Sequence, residues 1–119
     1  YLHDNTRYDL PLYDGSIPYM IDEFGGIKWV KEHERQLTNS DTESWGYGAP
    51  PKTMNEFYER LEGQVDAILS LSDHVWGYCY TQLTDVEQEQ NGIYFYDRSS
   101  KFDIDRIKAI FSKVPKVEK

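Results

Sequence analysis

The stretch that decides the fold is Pro18-Tyr19-Met20-Ile21-Asp22-Glu23-Phe24-Gly25-Gly26-Ile27-Lys28-Trp29. Its short apolar run begins after a proline and is stopped by paired glycines, which is typical of a buried strand rather than a helix. We predict a parallel strand and its loop over 18–29, with Glu23 at the carboxyl end, where α/β folds place their chemistry. An acidic residue at a strand end is more often a helix cap or a solvated loop carboxylate, so position alone does not make Glu23 catalytic.

Length and charge bound the possible functions. The chain has 119 residues and a formal net charge of −8, which is one domain's worth of polypeptide. This acidity argues against nucleic acid and against an anionic membrane surface as partners, and no apolar run approaches the ~20 residues of a membrane span. The single Cys79 allows no internal disulfide, and we expect it to be a buried, inert packing residue. The cellular compartment stays open.

A capped helix and a second strand follow. Thr53 and Glu56 have the spacing of a capping box, and apolar residues then recur every three or four positions, which predicts a helix over 53–72. A run rich in aromatic and β-branched residues predicts a strand and loop over 74–98, and Asp103 begins a helix over 103–113. The remaining segments, 1–17 and 30–52, are predicted connector and loop. Strand, helix and strand in this order indicate a parallel βαβ unit.

The second strand opens a long and unusual run, Gly77-Tyr78-Cys79-Tyr80-Thr81-Gln82-Leu83-Thr84-Asp85-Val86-Glu87-Gln88-Glu89-Gln90-Asn91-Gly92-Ile93-Tyr94. Together with Glu23-Phe24-Gly25-Gly26, this run resembles strands seven and eight of the catalytic domain of family 2 glycoside hydrolases, the β-galactosidase and β-glucuronidase group. The order and spacing of the two motifs agree with that domain. The resemblance covers nearly the whole chain from Pro18 onward.

The resemblance implies a fold and an activity. The family's catalytic domain is a (β/α)8 TIM barrel of roughly 250 residues, so the expected fold is α/β, the C-terminal fragment of such a barrel. We expect it to be completed by the rest of a parent enzyme or by self-association. The implied activity is that of a retaining β-glycosidase with Glu23 as nucleophile. The family's acid/base glutamate ends a fourth strand that this chain lacks, so we expect the isolated chain to be inactive.

Candidate residues for binding the carbohydrate come partly from the resemblance. The family places an aromatic residue, usually Trp, in the sugar subsite, and the corresponding residue here is Tyr80. Trp29 and Trp45 are further candidates, and the alternative for Trp45 is that it closes the top of the core beneath its loop. Asp85 either binds substrate hydroxyls or caps its loop. Galactose is in doubt, because Gly26 stands where relatives that act on galactose often carry His.

No metal or cofactor is implied, since His33 and His74 lack partners at the spacing of metal ligands. An alternative from another functional class remains open. The chain would then be a non-catalytic module that binds carbohydrate or a partner protein through its aromatic loops.

Overall fold

The computed structural model describes residues 16–30 and 48–115. Within them the chain forms β1 (Tyr19–Gly25), α1 (Met54–Leu69), β2 (Val75–Thr81) and α2 (Ile104–Phe111). The fold class is therefore α/β. The predicted connector over 1–17 lies mostly outside the described residues, as does most of the predicted loop over 30–52.

The two strands form one parallel sheet in the order β1-β2. Tyr19 pairs with Val75 at one end and Gly25 pairs with Thr81 at the other. The parallel βαβ unit predicted from the sequence is confirmed.

The register of this pair is interrupted twice. Ile21 pairs with Tyr78 and Phe24 with Tyr80, so two residues of β1, Asp22 and Glu23, lie opposite the single residue Cys79. Two residues facing one define a β-bulge, which bends the strand and re-aims its side chains. A second irregularity leaves Trp76 without a partner between the first two pairs.

Helix α1 begins as its sequence predicts. The Thr53 side chain accepts a hydrogen bond from the backbone N–H of Glu56 at 3.1 Å, which satisfies one of the donors left free at a helix start. The Glu56 carboxylate reaches back to accept from the backbone N–H of Lys52 at 2.7 Å. The helix ends at Leu69, three residues before the predicted boundary.

The core lies between the sheet and the two helices. The rings of Phe57 and Phe102 stack with centroids 3.9 Å apart, and Phe24 meets Tyr78 and Tyr80 edge to face at 5.2 and 5.3 Å. The Tyr58 hydroxyl accepts from the backbone N–H of Asp103 at 2.8 Å and so ties α1 to the start of α2. The other buried apolar residues of this cluster include Ile27, Leu61, Val65, Ile68, Val75, Ile93, Ile107 and Ile110.

Cys79 is exposed, and the prediction that it packs inside the core is wrong. Side chains alternate across a strand, and the helices cover the face that carries Tyr78 and Tyr80. The neighbouring Cys79 therefore faces away from the core. Met20 and Trp76 are also exposed, at 59% and 70%. Among the described residues no helix is both long and apolar enough to cross a membrane.

Candidate active site

Glu23 lies in the bulge of β1, two residues before the strand ends, and its side chain is exposed beside the equally exposed Asp22. Phe24, the next residue, is buried in the core. The bulge thus exposes the Glu23 carboxylate to solvent, while the next residue along β1 is held in the core. The anchored Phe24 fixes the backbone at this point, and exposure gives the carboxylate the access that a nucleophile requires.

The glycines after Glu23 have a packing function. Gly25 and Gly26 adopt positive φ values of 101° and 63°, a conformation that residues with a side chain adopt only with strain. A methyl group on Gly25 would also overlap the ring of Tyr80. The backbone turn after β1 therefore depends on glycine for its conformation and for close contact with β2.

The backbone of Trp29 joins this turn to the loop that follows β2. Its N–H donates to the carbonyl of Gln90 at 3.1 Å, and its carbonyl accepts from Lys101 Nζ at 3.0 Å. The half-buried indole packs against the hydrophobic core. The structure thus gives Trp29 a structural role, and its contact with substrate stays a prediction.

The loop after β2 folds back on itself at the same end of the sheet. The peptide bond between Thr81 and Gln82 is cis, and the Thr81 carbonyl accepts from the N–H of Gly26 at 2.7 Å. Beyond it, Gln82 and Leu83 each accept a backbone hydrogen bond from the returning segment at 3.0 and 2.9 Å. The loop therefore lies next to the turn that follows Glu23.

A buried ion pair holds the loop in place. Lys101 Nζ lies 2.5 Å from Asp85 Oδ1, and the two side chains are 0% and 7% exposed. The same nitrogen donates to the carbonyl of Gln90 at 3.2 Å, and Asp85 Oδ1 also accepts from the N–H of Gly92 at 2.9 Å. The structure gives Asp85 the role of closing its loop, and substrate binding by Asp85 stays a prediction.

Lys101 is the residue that sequence reasoning missed. It lies in a polar stretch sixteen residues after Asp85, and no local periodicity or motif connects the two. Only the folded chain brings the ammonium to the carboxylate.

Tyr80 lies on the helix side of the sheet rather than beside Glu23. Its ring contacts Phe24 and, edge to face at 5.1 Å, Phe111 of α2. Its hydroxyl is buried and has no hydrogen-bond partner among the described residues. Burial raises the pKa of Tyr80 well above its ordinary value of 10.0, because an apolar environment disfavours the phenolate. The structure does not bring Tyr80 and Glu23 together, and the predicted subsite stays a prediction.

Two buried acceptors lie near the ion pair. Gln90 Oε1 and Asn91 Oδ1 have no hydrogen-bond partner among the described residues, although Asn91 Nδ2 donates to Glu89 Oε1 at 3.1 Å. Unpaired buried acceptors cost free energy, and a hydroxyl donor would satisfy them. The sequence places both residues in the loop motif but does not indicate their burial.

An apolar groove of about 450 Å³ opens between β2 and α2. It is lined by Tyr78, Tyr80, Leu83, Ile93, Tyr94, Ile104, Ile107, Lys108 and Phe111. Since Tyr80 and Phe111 face each other here, this groove is on the helix side of the sheet.

Trp45 lies outside the described residues. In the described ranges, no three His, Cys, Asp or Glu side chains cluster in a way that could hold a metal ion. Comparison with protein-family models and with curated proteins gives no match for this chain.

Proposed function

We propose that this chain forms part of the (β/α)8 barrel of a retaining β-glycosidase and supplies its nucleophile, Glu23. One observation carries the proposal. An exposed glutamate occupies a bulge at the carboxyl end of a parallel strand, and a second parallel strand lies beside it. The motifs Glu23-Phe24-Gly25-Gly26 and Tyr80 to Gly92 support the same assignment through their resemblance to family 2 glycoside hydrolases.

The chemistry divides between two carboxyl groups. The carboxylate of Glu23 attacks the anomeric carbon while a carboxylic acid protonates the departing glycosidic oxygen, which forms a covalent glycosyl-enzyme. Water then releases the sugar with retained configuration. In retaining enzymes the two groups lie about 5–5.5 Å apart.

Asp22 is a poor second carboxyl group, because a general acid is usually kept protonated by apolar surroundings and the Asp22 side chain is exposed to solvent. The described residue of β2 that lies opposite Asp22 and Glu23 is Cys79, which carries no carboxyl group. We therefore expect the chain alone to form the glycosyl adduct at most, with turnover requiring an acid from the rest of a parent enzyme.

A substrate whose leaving group departs without a proton tests the nucleophile separately from the missing acid. Dinitrophenyl 2-deoxy-2-fluoro-β-glycosides react with the nucleophile without acid assistance, so a panel of different glycones also reports substrate preference. Intact-mass spectrometry of the wild-type chain is expected to show one adduct, which peptide mapping assigns to Glu23. Glu23→Gln should give none, and the matched control Asp22→Asn should react like the wild type.

An adduct on another residue, or one that persists in Glu23→Gln, would overturn the proposal. Absence of any adduct would instead place the chain in the second class, a non-catalytic module that binds carbohydrate or a partner. The apolar groove between β2 and α2 offers that alternative a binding surface, and Glu23 is not among the residues that line it. Binding of glycosides without any adduct would support it.

A further inference from the structure

The loop after β2 contains the dipeptide Asn91-Gly92, and of the asparagines in the chain Asn91 alone is followed by glycine. Asparagine is among the thermolabile residues, because the backbone nitrogen of the next residue can attack its amide carbon and release ammonia. A following glycine favours this attack, since it has no side chain to obstruct the approach and its backbone is permissive. The conformation of the loop therefore decides how long this dipeptide lasts.

Packing requires the glycine of this pair. A methyl group on Gly92 would overlap the backbone of Thr84 and Asp85, and the Gly92 N–H donates to Asp85 Oδ1 at 2.9 Å. Any side chain at this position would break the close contact. The labile dipeptide is therefore a consequence of how the loop closes.

The closed loop opposes the attack in several ways. Asn91 Nδ2 donates to Glu89 Oε1 at 3.1 Å, which holds the amide, and the attacking nitrogen of Gly92 is tied to Asp85. Asn91 Oδ1 has no donor among the described residues, so no partner there stabilises the negative charge that this oxygen gains during attack. Asn91 is also 0% exposed, which keeps solvent base and water from the amide.

We propose that Asn91 is a deamidation site that the Lys101–Asp85 ion pair keeps closed. Reaction requires the loop to open far enough for solvent to reach Asn91. A solvent base then removes the Gly92 amide proton, the nitrogen bonds to Cγ of Asn91, and the Cγ–Nδ2 bond breaks as Nδ2 takes up a proton and leaves as ammonia. Water opens the resulting cyclic imide to aspartate or isoaspartate.

Neither product restores the closed loop. Aspartate at this position places a carboxylate oxygen beside Glu89 Oε1, where the Asn91 amide nitrogen donates, and buries an additional negative charge. Isoaspartate lengthens the backbone by a carbon atom, and the close contact of Gly92 with Thr84 and Asp85 leaves no room for it. An opening that leads to reaction is therefore irreversible.

The first test compares the folded chain with the unfolded one. The purified wild-type chain is incubated at mildly alkaline pH with and without denaturing guanidinium chloride, and peptide mapping by mass spectrometry follows the change from amide to carboxyl group at Asn91. Conversion in the folded chain should be at least about tenfold slower, because the loop must open first. Equal rates would overturn the proposal.

The second test separates the ion pair from the fold as a whole. Lys101→Met removes the cation beside Asp85 and should speed conversion at least about tenfold relative to Lys113→Met, which removes a more exposed cation. Equal rates in the two folded variants would overturn the proposal. If Lys101→Met does not fold, the wild-type chain decides, because a locally opened loop reacts at a rate that depends weakly on guanidinium below the unfolding transition. A rate that follows the globally unfolded fraction would overturn the proposal.

Asn91→Asp reproduces one product directly. It should unfold at a lower guanidinium concentration than the wild type, because its carboxylate meets Glu89. Asn55→Asp is the matched control, since it makes the same change at an exposed position in the first turn of α1, where negative charge is favourable. Equal stability of Asn91→Asp and the wild type would overturn the proposed loss of the closed loop. These measurements involve no substrate, so their outcome is independent of the activity proposed for Glu23.

Discussion

Glu23 lies opposite Cys79 across the β1–β2 pair, and both side chains are exposed. The thiol therefore reports on whatever occupies the surface next to the carboxylate. This relationship depends on the bulge, because regular pairing would give each residue of β1 its own partner.

The first prediction uses this thiol. Cys79 should react stoichiometrically with N-ethylmaleimide in the folded protein, since it is exposed. Formation of a 2-fluoroglycosyl adduct on Glu23 should slow the reaction several-fold by covering the thiol, as followed by mass spectrometry. Glu23→Gln treated in the same way should show no protection. An unchanged rate in the labelled wild-type protein would mean that the sugar does not lie over this pair of residues.

The second prediction concerns the buried ion pair. Lys101→Met leaves the Asp85 carboxylate buried without its cation, which should lower the free energy of unfolding by about 3–5 kcal/mol. Urea denaturation measures this change. Lys113→Met removes the exposed pairs with Glu62 and Asp66 and should cost much less. Equal losses in the two variants would show that Lys101 contributes no more than a surface charge.

The third prediction is that Tyr80→Phe stabilises the protein. Removing a buried hydroxyl that has no partner within the described part of the chain should raise the free energy of unfolding at neutral pH by about 1–2 kcal/mol. Tyr96→Phe is the control, since Tyr96 is 74% exposed. Loss of stability in Tyr80→Phe would reveal a hydrogen bond to that hydroxyl.

The fourth prediction follows from the raised pKa of Tyr80. At pH above about 10 the unfolded tyrosine loses its proton, while the folded one retains it. The unfolded state then binds fewer protons, so stability falls as pH rises. Urea denaturation between pH 9 and pH 11 should show a shallower loss for Tyr80→Phe than for the wild type. Parallel curves for the two proteins would contradict this expectation.

The fifth prediction compares two glycines. A methyl group on Gly92 would overlap the backbone of Thr84 and Asp85, whereas one on Gly77 meets only the flexible end of Met20 at 3.3 Å. Gly92→Ala should therefore destabilise the chain by about 1–3 kcal/mol and Gly77→Ala by clearly less. Thermal or urea unfolding of the pair measures the difference. The reverse order would place the close approach at Gly77 instead.

Local patterns in the sequence predicted the elements well. The capping residues Thr53 and Glu56 marked the start of α1, because they act within one helical turn. The apolar run before Glu23 and the aromatic run after Val75 predicted two strands, and their connection by one helix predicted parallel pairing. Each of these signals depends on neighbours in the chain.

The features that shape the candidate site depend on contacts between distant segments. Alternation along β2 shows which residues share a face but not which face the helices cover, so Cys79 was misplaced. The bulge at Asp22 and Glu23 exists only through pairing with β2. The Lys101 ammonium meets the Trp29 carbonyl across 72 residues of sequence, and no local pattern encodes that contact.

That long separation has a consequence for biosynthesis. A ribosome adds residues from the amino terminus, so β1 and the turn after it emerge well before Lys101 is made. The contacts of the Lys101 ammonium with the Trp29 carbonyl and the Asp85 carboxylate can therefore form only late in synthesis. We therefore expect nascent chains that stop before Lys101 to leave the turn after Glu23 open to proteolysis, and longer ones to protect it.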